Sequence, residues 1–107
     1  MSSYPLPLPV RRAISKLGRD VSVARRRRRL TQGSLAERAG VGLNTLRRLE
    51  KGDPKIALEG VARVLHVLGE TDRLAQLLDS GSDETGLLMA EEQLPKRVRA
   101  RTTSGAL

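Results

Sequence analysis

Apolar side chains recur every three or four positions through most of this chain, the spacing that places them along one side of an α-helix. Five such stretches occur, separated by glycine or by turn-forming residues. They predict helices over about 10–29, 32–39, 43–51 and 58–68, and a fifth that begins at Thr71 and carries Leu74, Leu77 and Leu78. The pattern therefore predicts an all-α domain of five helices.

The two ends of the chain follow different patterns. Residues 1–9 have three prolines at alternate positions and predict an extended, disordered Pro-rich arm. Residues 79–107 predict a linker, a short helical spacing at 86–94 and, after Pro95, a mobile basic tail. We therefore expect one domain over residues 10–78 with a flexible tail on each side.

The composition limits what this domain can be built from. The chain has one aromatic residue, Tyr4, and no Phe, Trp or Cys. A core of Leu, Val, Ile and Ala suits packed helices better than a sheet, and the lack of Cys excludes a disulfide framework and fits a reducing compartment. So small an aliphatic core is marginal, which favours its completion by a second copy or a partner.

Charge is distributed unevenly along the chain. The net charge is +8, but residues 1–55 carry fourteen basic and four acidic side chains, residues 56–92 carry two and eight, and residues 93–107 carry four and none. The basic first half predicts binding to a polyanion, and the acidic second part predicts a different partner. Most of the basic residues are Arg, whose forked guanidinium suits phosphate and guanine.

Residues 30–54 contain the pattern that is most informative about function. Two short helical patterns are separated by Gly40-Val41-Gly42. Thr31 is a candidate N-cap for the first, and Gly40 suits a left-handed reversal at its end. The second buries two leucines and carries two adjacent arginines on its other side. A short helix, a glycine turn and a second, basic helix form a reader of the DNA major groove.

These residues follow the pattern LTQxxLAxRAGVxxxTLxRLExGDP, which resembles the Xre-type helix-turn-helix of phage repressors and bacterial regulators. The resemblance covers roughly residues 20–69 and implies a phage-repressor-like (lambda repressor-like) fold with its recognition helix at about 43–51. It implies that Gln32 contacts a phosphate and braces that helix, and that Glu50 forms a structural pair with Arg25. The side chains that it directs into the major groove are Leu43, Asn44, Arg47 and Arg48.

The chemistry of these side chains agrees with the resemblance. An Asn can form two hydrogen bonds with adenine and an Arg two with guanine, and each such pair contributes about 1–3 kcal/mol of discrimination. Leu43 and the Thr45 methyl could contact a thymine methyl. Alternatively, Thr45 could bind a phosphate, as could Lys51 and Lys55. Two adjacent arginines on a helix more often simply face solvent. Here Leu46 and Leu49 are expected to be buried on the opposite side of the helix, which favours DNA contact by Arg47 and Arg48.

Residues 25–29 are five consecutive arginines. Five successive residues spread over more than one helical turn, so they cannot all meet one surface. We expect Arg26 and Arg29 to lie near phosphate and the others to supply a diffuse field. Binding should therefore fall steeply as salt rises.

A longer pattern narrows the resemblance. The sequence GDPxxxLxxxARVLxxLGxxDRLAxLL, followed by an acidic linker and the tail LPKRVR, is similar to HipB-like antitoxins of HipBA-type toxin–antitoxin pairs. The similarity implies a homodimer that binds its own palindromic operator and neutralises a HipA-like kinase toxin. The acidic residues 56–92 are then either a docking face for that partner or ordinary domain closure with a dimer contact. Two alternatives remain open: a stand-alone Xre-family regulator, and a protein whose main task is inhibitory binding.

Other classes of function find little support. The single histidine, His66, has no Cys, carboxylate cluster or activated Ser to accompany it, so we expect no enzyme, no metal site and no cofactor. An aromatic platform for single-stranded nucleic acid is lacking. No signal peptide and no apolar run of membrane length occurs, so we expect a soluble protein of the bacterial cytoplasm, held at the nucleoid through its operator.

Overall fold

The computed structural model describes residues 4–81, which form five α-helices and no strand. The helices are α1 (Leu8–Arg27), α2 (Gln32–Ala39), α3 (Leu43–Glu50), α4 (Leu58–Val67) and α5 (Thr71–Ala75). The predicted all-α fold of five helices is confirmed. The helical spacing at 86–94 and the basic tail lie outside the described residues.

The chain divides into two compact units between Leu74 and Ala75. Every residue of the candidate site described below lies in the first unit. Within residues 4–81, none of the helices is both long enough and apolar enough to cross a membrane.

Helix α1 starts and ends two residues earlier than predicted. It begins at Leu8 with Pro9 in its first turn, so both residues belong to the helix and not to the predicted Pro-rich arm. Pro is tolerated there because the N–H groups of a first helical turn have no partner within the helix in any case. The helix ends at Arg27 because Arg29 adopts a left-handed backbone conformation, with φ 55°.

The ends of α3 and α5 also differ from the prediction. Helix α3 ends at Glu50, one residue early, and α5 ends at Ala75. Leu77 and Leu78, predicted to belong to α5, follow it in a turn and are exposed. Most helices in proteins are sustained by burial of an apolar face. These two leucines supply no such burial, and the prediction that they extend α5 is wrong.

Four of the five helices end in the same reversal of the chain. After each of α1 to α4, a residue with positive φ is followed by one whose N–H bonds to the carbonyl five positions back, the Schellman motif. These N–H to O bonds, 2.8–3.1 Å long, join Leu30 to Arg25, Val41 to Ala36, Asp53 to Arg48 and Glu70 to Leu65. The motif therefore brings the two bonded residues side by side. The left-handed residue is Gly40, Gly52 or Gly69 in three cases and Arg29 in the other.

The core lies among α1, α2, α3 and α4 and is aliphatic, as the composition predicts. The largest fully buried side chains in the described part of the chain come from three different helices and are Leu35, Leu46 and Val64. The remaining buried members of the core are Val21, Ala36, Ala39, Leu49 and Leu68. Because α2 and α3 each bury two or more residues, the core holds both helices of the predicted DNA-binding unit in place.

Gly18 marks the point where α1 crosses the end of α3. A Cβ at this position would overlap the carbonyl oxygen of Leu49 and lie 2.9 Å from that of Glu50. The crossing is also tight at Gly52, where a Cβ would lie 3.0 Å from Ser15 Cα. In the sequence Gly18 is only a weak point within a helix; in the structure it permits the close approach of α1 to α3.

Candidate nucleic-acid interface

Local capping determines where α2 and α3 begin and end. Thr31 Oγ1 accepts a hydrogen bond from Ser34 N at 3.0 Å and so begins α2 at the predicted residue. Gly40, with φ 71° and ψ 33°, ends α2 in the predicted left-handed conformation. Val41 then packs against the core, and Gly42 precedes α3 in an extended conformation. The turn thus leads directly into α3 with one apolar residue anchored beneath it.

Helix α3 has one buried side and one side open to solvent. Leu46 and Leu49 are 0% and 2% exposed and anchor the helix in the core. Positions 43, 44, 47, 48 and 51 share the other side at helical spacing, and all are exposed. The structure therefore brings together five of the predicted DNA-binding residues: Leu43, Asn44, Arg47, Arg48 and Lys51.

Thr45 and Lys55 lie apart from this group. Thr45 is half-buried, and a Cβ placed on Gly60 would lie 3.7 Å from Thr45 Cγ2, so its methyl faces α4. Lys55 is exposed in the turn that follows α3, where its backbone N–H donates to Asp53 Oδ1 at 2.8 Å. The Thr45 methyl thus points toward the protein, while the Lys55 ammonium is open to solvent.

Arg25 and Glu50 join α1 to the end of α3. The Arg25 guanidinium donates from Nε to Glu50 Oε2 at 2.8 Å and from Nη2 to Oε1 at 3.1 Å. Its Nη1 donates to the carbonyl oxygen of Leu30 at 2.8 Å, which adds the connection between α1 and α2. The two side chains are only 12% and 7% exposed. The Arg25–Glu50 pair that the resemblance implies is therefore present.

Gln32 completes this network from the start of α2. Its Nε2 donates to Glu50 Oε1 at 3.0 Å, and the residue is half-buried. The carboxylate of Glu50 thus receives hydrogen bonds from both α1 and α2, and α3 is connected to both helices at its C-terminal end. This arrangement supplies the bracing that the resemblance implies for Gln32, and it leaves one N–H of the Gln32 amide for a ligand.

Arg48 is paired with Asp53, a residue for which the sequence analysis predicts no role. Its Nε donates to Asp53 Oδ2 at 2.7 Å. The spacing of five residues around a left-handed glycine was the available signal, since the Schellman motif at Gly52 brings positions 48 and 53 together. Asp53 is therefore a residue of the candidate interface that the sequence analysis missed.

The carboxylate of Asp53 is ionised at neutral pH. Its pKa lies below the ordinary value of 3.8, first because Lys55 N donates a hydrogen bond to it, and second because Arg48 does. Both donors favour the charged form of the carboxylate. The exposed side of α3 thus ends in an ion pair and not in a free Arg.

Arg28 has a structural task that the run of five arginines does not suggest. Its Nη1 donates to Ala24 O at 2.7 Å and its Nη2 to Leu68 O at 2.9 Å. The guanidinium therefore ties the end of α1 to the end of α4, where it also complements the carbonyl end of the helix. No pattern along the chain indicates this contact, because the two residues are forty positions apart.

The other arginines of the run are divided by their contacts as well. Arg26 Nε donates to Ser22 O of its own helix at 3.3 Å, and the residue is exposed. Arg27 and Arg29 are exposed, and their side chains make no hydrogen bond or ion pair with residues 4–81. Of the five arginines, only Arg25 is paired with a carboxylate among residues 4–81, and Arg26 to Arg29 are all exposed. That Arg26 and Arg29 lie near phosphate stays a prediction.

A short helix, a glycine turn and a second helix with a basic, solvent-facing side define the class of helix-turn-helix DNA-binding proteins. Residues 23–77, just over half of the chain, match the family described as Helix-turn-helix. The chain belongs to this family, in its Xre-type branch, and is a DNA-binding transcriptional regulator with a phage-repressor-like domain. No curated protein and no solved structure shows a significant match to it.

Proposed function

We propose that this protein is a sequence-specific transcriptional repressor that reads double-stranded DNA with the exposed side of α3. The observation that carries this proposal is the placement of Leu43, Asn44, Arg47 and Arg48 on one open side of a helix whose opposite side is fully buried. A helix anchored in this way holds its exposed polar side chains in a fixed arrangement. The major groove of DNA is about 12 Å wide and admits an α-helix.

Each side chain has a task suited to its chemistry. Asn44 pairs with adenine through two hydrogen bonds, and Arg48 pairs with guanine O6 and N7. We expect Arg47 to contact either a base or a phosphate and Leu43 to pack against a thymine methyl. The residues proposed to contact the phosphate backbone at the edges of the groove are Gln32, Thr45, Lys51 and Lys55.

We further propose that the active species is a homodimer on a palindromic operator. Within residues 4–81 the buried core contains eight residues, all of them small or medium-sized aliphatics, which is a small core for an independent domain. Two copies would insert their α3 helices into successive major grooves about 34 Å apart, which fixes the half-site spacing at about one helical turn. Analytical ultracentrifugation with operator DNA tests this directly, because a complex with one copy per operator would contradict it.

The proposal that α3 recognises the DNA sequence is tested by a salt-matched binding assay on duplexes enriched from a random library. The Asn44→Ala/Arg48→Ala variant should lose at least about tenfold in affinity for the enriched sequence, since each bidentate pair contributes about 1–3 kcal/mol. Arg73→Ala is the matched control, because it also removes one exposed positive charge, on α5. If the double variant bound every sequence with the affinity of the wild type, the assignment of α3 would be wrong.

The narrower proposal is that this repressor is the antitoxin of a HipBA-type pair, which represses its own operon and neutralises a HipA-like kinase. Its support is the sequence similarity over the region after Gly52 and the change from net positive to net negative charge after residue 55. Among the described acidic residues of that part, Glu59, Asp72 and Asp79 are exposed, so a basic partner could reach them.

The neighbouring reading frame is the first test of the antitoxin proposal. A HipA-like kinase encoded there should copurify with the protein and lose kinase activity in the complex. Removal of residues 79–107 then shows whether the tail takes part, because intact neutralisation by the shortened protein excludes it. Absence of any such kinase gene supports the alternative, a stand-alone Xre-family regulator.

A further inference from the structure

Arg48 and Asp53 are connected twice, once through the backbone and once through their side chains. Asp53 N donates to the Arg48 carbonyl at 3.0 Å, and Arg48 Nε donates to Asp53 Oδ2 at 2.7 Å. The other carboxylate oxygen, Oδ1, accepts from Lys55 N at 2.8 Å and forms an Asx-turn. The carboxylate is thus held by its own loop and does not depend on Arg48 for its position.

The bond from Nε leaves one end of the Arg48 guanidinium available. Its Nη1 and Nη2 make no hydrogen bond with residues 4–81, and the side chain is 46% exposed. An Arg in solution loses considerable rotamer freedom when it binds. Because Asp53 already restricts the guanidinium, its two terminal nitrogens form an oriented fork of the kind that matches guanine O6 and N7.

We propose that Asp53 is a specificity-determining positioning residue, which orients Arg48 toward a single guanine in each half-site and discourages Arg48 from binding phosphate. The inference rests on the proposal that Arg48 enters the major groove. It adds to that proposal a second residue, outside α3, that controls what Arg48 recognises.

The charge of Asp53 gives this arrangement its selectivity. An unpaired Arg on the exposed side of α3 could bind any phosphate oxygen, which strengthens binding to all sequences equally. The Arg48–Asp53 pair carries no net charge, and the carboxylate repels phosphate. Guanine, a neutral base with two acceptors along one edge, remains the partner that the fork can take without displacing Asp53.

Asp53→Asn separates this role from a structural one. The Asn oxygen can still accept the hydrogen bond from Lys55 N, so the turn is retained. The amide nitrogen is a donor and cannot accept from Arg48 Nε, so the orienting bond is lost. Thermal unfolding of the variant at neutral pH provides the check that its fold is intact.

The experiment compares the wild-type full-length protein with three variants, Asp53→Asn, Arg48→Ala and the double variant, by selection from a random duplex library and by titration of selected and scrambled duplexes. Asp72→Asn is the matched control, because it makes the same change of charge on the exposed part of α5. The library contains all short duplex sequences, so the selection itself identifies the preferred half-site.

For Asp53→Asn we expect two changes of opposite sign. The preference for guanine at one position of each half-site should fall by about fivefold or more, as for loss of a bidentate contact. Affinity for scrambled DNA should rise, and the dependence of log K on log salt should steepen by about one phosphate contact, because Arg48 becomes free to bind a phosphate. In the double variant the guanine preference should be no lower than in Arg48→Ala alone.

Two results would overturn the inference. One is a guanine preference in Asp53→Asn equal to that of the wild type; the other is an equal loss in Asp72→Asn. In both cases the wild type still enriches a sequence that depends on Arg48, so the proposed function of α3 stands. If the wild type enriches no sequence, the proposed function fails and this inference fails with it.

Discussion

The guanidinium of Arg25 and the carboxylate of Glu50 form a two-point ion pair, with bonds of 2.8 and 3.1 Å, where α1, α2 and α3 meet. The same carboxylate accepts from Gln32 Nε2. Removal of one partner of a nearly buried ion pair leaves the other charge buried and unpaired. The loss of stability is then larger than the stability that the intact pair adds relative to two apolar side chains. The orientation of α3 therefore depends on Arg25 and Glu50, neither of which is among the side chains proposed to contact DNA.

Glu50→Ala should lower the free energy of unfolding by about 3 kcal/mol, because it leaves the Arg25 guanidinium nearly buried and unpaired. Urea unfolding monitored by circular dichroism measures the change. Asp20→Ala is the matched control, since it breaks the Lys16–Asp20 pair, whose side chains are 69% and 57% exposed. Exposed pairs of this kind contribute less than about 1 kcal/mol. Equal effects of the two substitutions would contradict the role assigned to Glu50.

Gly18→Ala should destabilise the protein by about 1–3 kcal/mol, as overpacking does, although Ala is the better helix former. The added methyl would meet the carbonyl oxygens of Leu49 and Glu50, which are backbone atoms with little freedom to move. Gly33→Ala in α2 is the control, because its Cβ would lie 4.0 Å from Thr31 Oγ1, an open position. Urea midpoints should fall for the first variant and stay level or rise for the second; a rise for both would show that α1 and α3 are less tightly packed.

Arg29→Gly should raise the free energy of unfolding by about 0.5 kcal/mol, since it removes the cost of a left-handed residue with a Cβ and adds only the smaller entropic cost of Gly. Arg29 is the one non-glycine residue with positive φ in the described part of the chain. The control is Arg27→Gly, which places Gly in the last turn of α1, where the backbone is helical, and should destabilise by up to about 1 kcal/mol. Differential scanning calorimetry should show shifts of opposite sign, and a loss of stability in both variants would contradict the prediction.

The titration of Asp53 should separate its two hydrogen bonds. Its pKa lies below 3.8, first because of Lys55 N and second because of Arg48. A depressed folded-state pKa means that the contribution of the carboxylate to stability is present above its unfolded value and is lost as the pH falls through the lower, folded value. The interactions of Asp53 should therefore be unchanged from neutral pH down to the ordinary pKa and weaken only below it.

Carbon-detected NMR of the Asp53 carboxyl measures this midpoint. In Arg48→Ala the pKa should rise, because one donor is lost, and stay below 3.8, because the bond from Lys55 N remains. A midpoint in Arg48→Ala equal to that of the wild type would show that the two side chains are not paired in solution.

Capping signals account for what could be predicted about the DNA-binding unit. Helix α2 has the predicted bounds because Thr31 and Gly40 set both ends through contacts within a few residues. The ends of α1 and α5 were predicted wrongly. Helix α1 ends before Arg29 because Arg29 is left-handed, a conformation that Arg rarely adopts. Leu77 and Leu78 have helical spacing, but α5 ends before them. The pairing of Arg48 with Asp53 lies between these cases: Gly52 indicates the reversal of the chain, and the reversal brings the two side chains together.

The sequence by itself determined the aliphatic core, the five helices, the glycine turn and the exposed side of α3, because helical periodicity, capping and composition act over a few residues at a time. Only the tertiary structure decided which arginines are engaged inside the protein. Arg25 and Arg28 find partners 25 and 40 positions away, while Arg27 beside them finds none within residues 4–81. The five arginines look alike along the chain, but their contacts differ because α1 packs against α3 and its end lies beside the end of α4, so that each side chain has different surroundings.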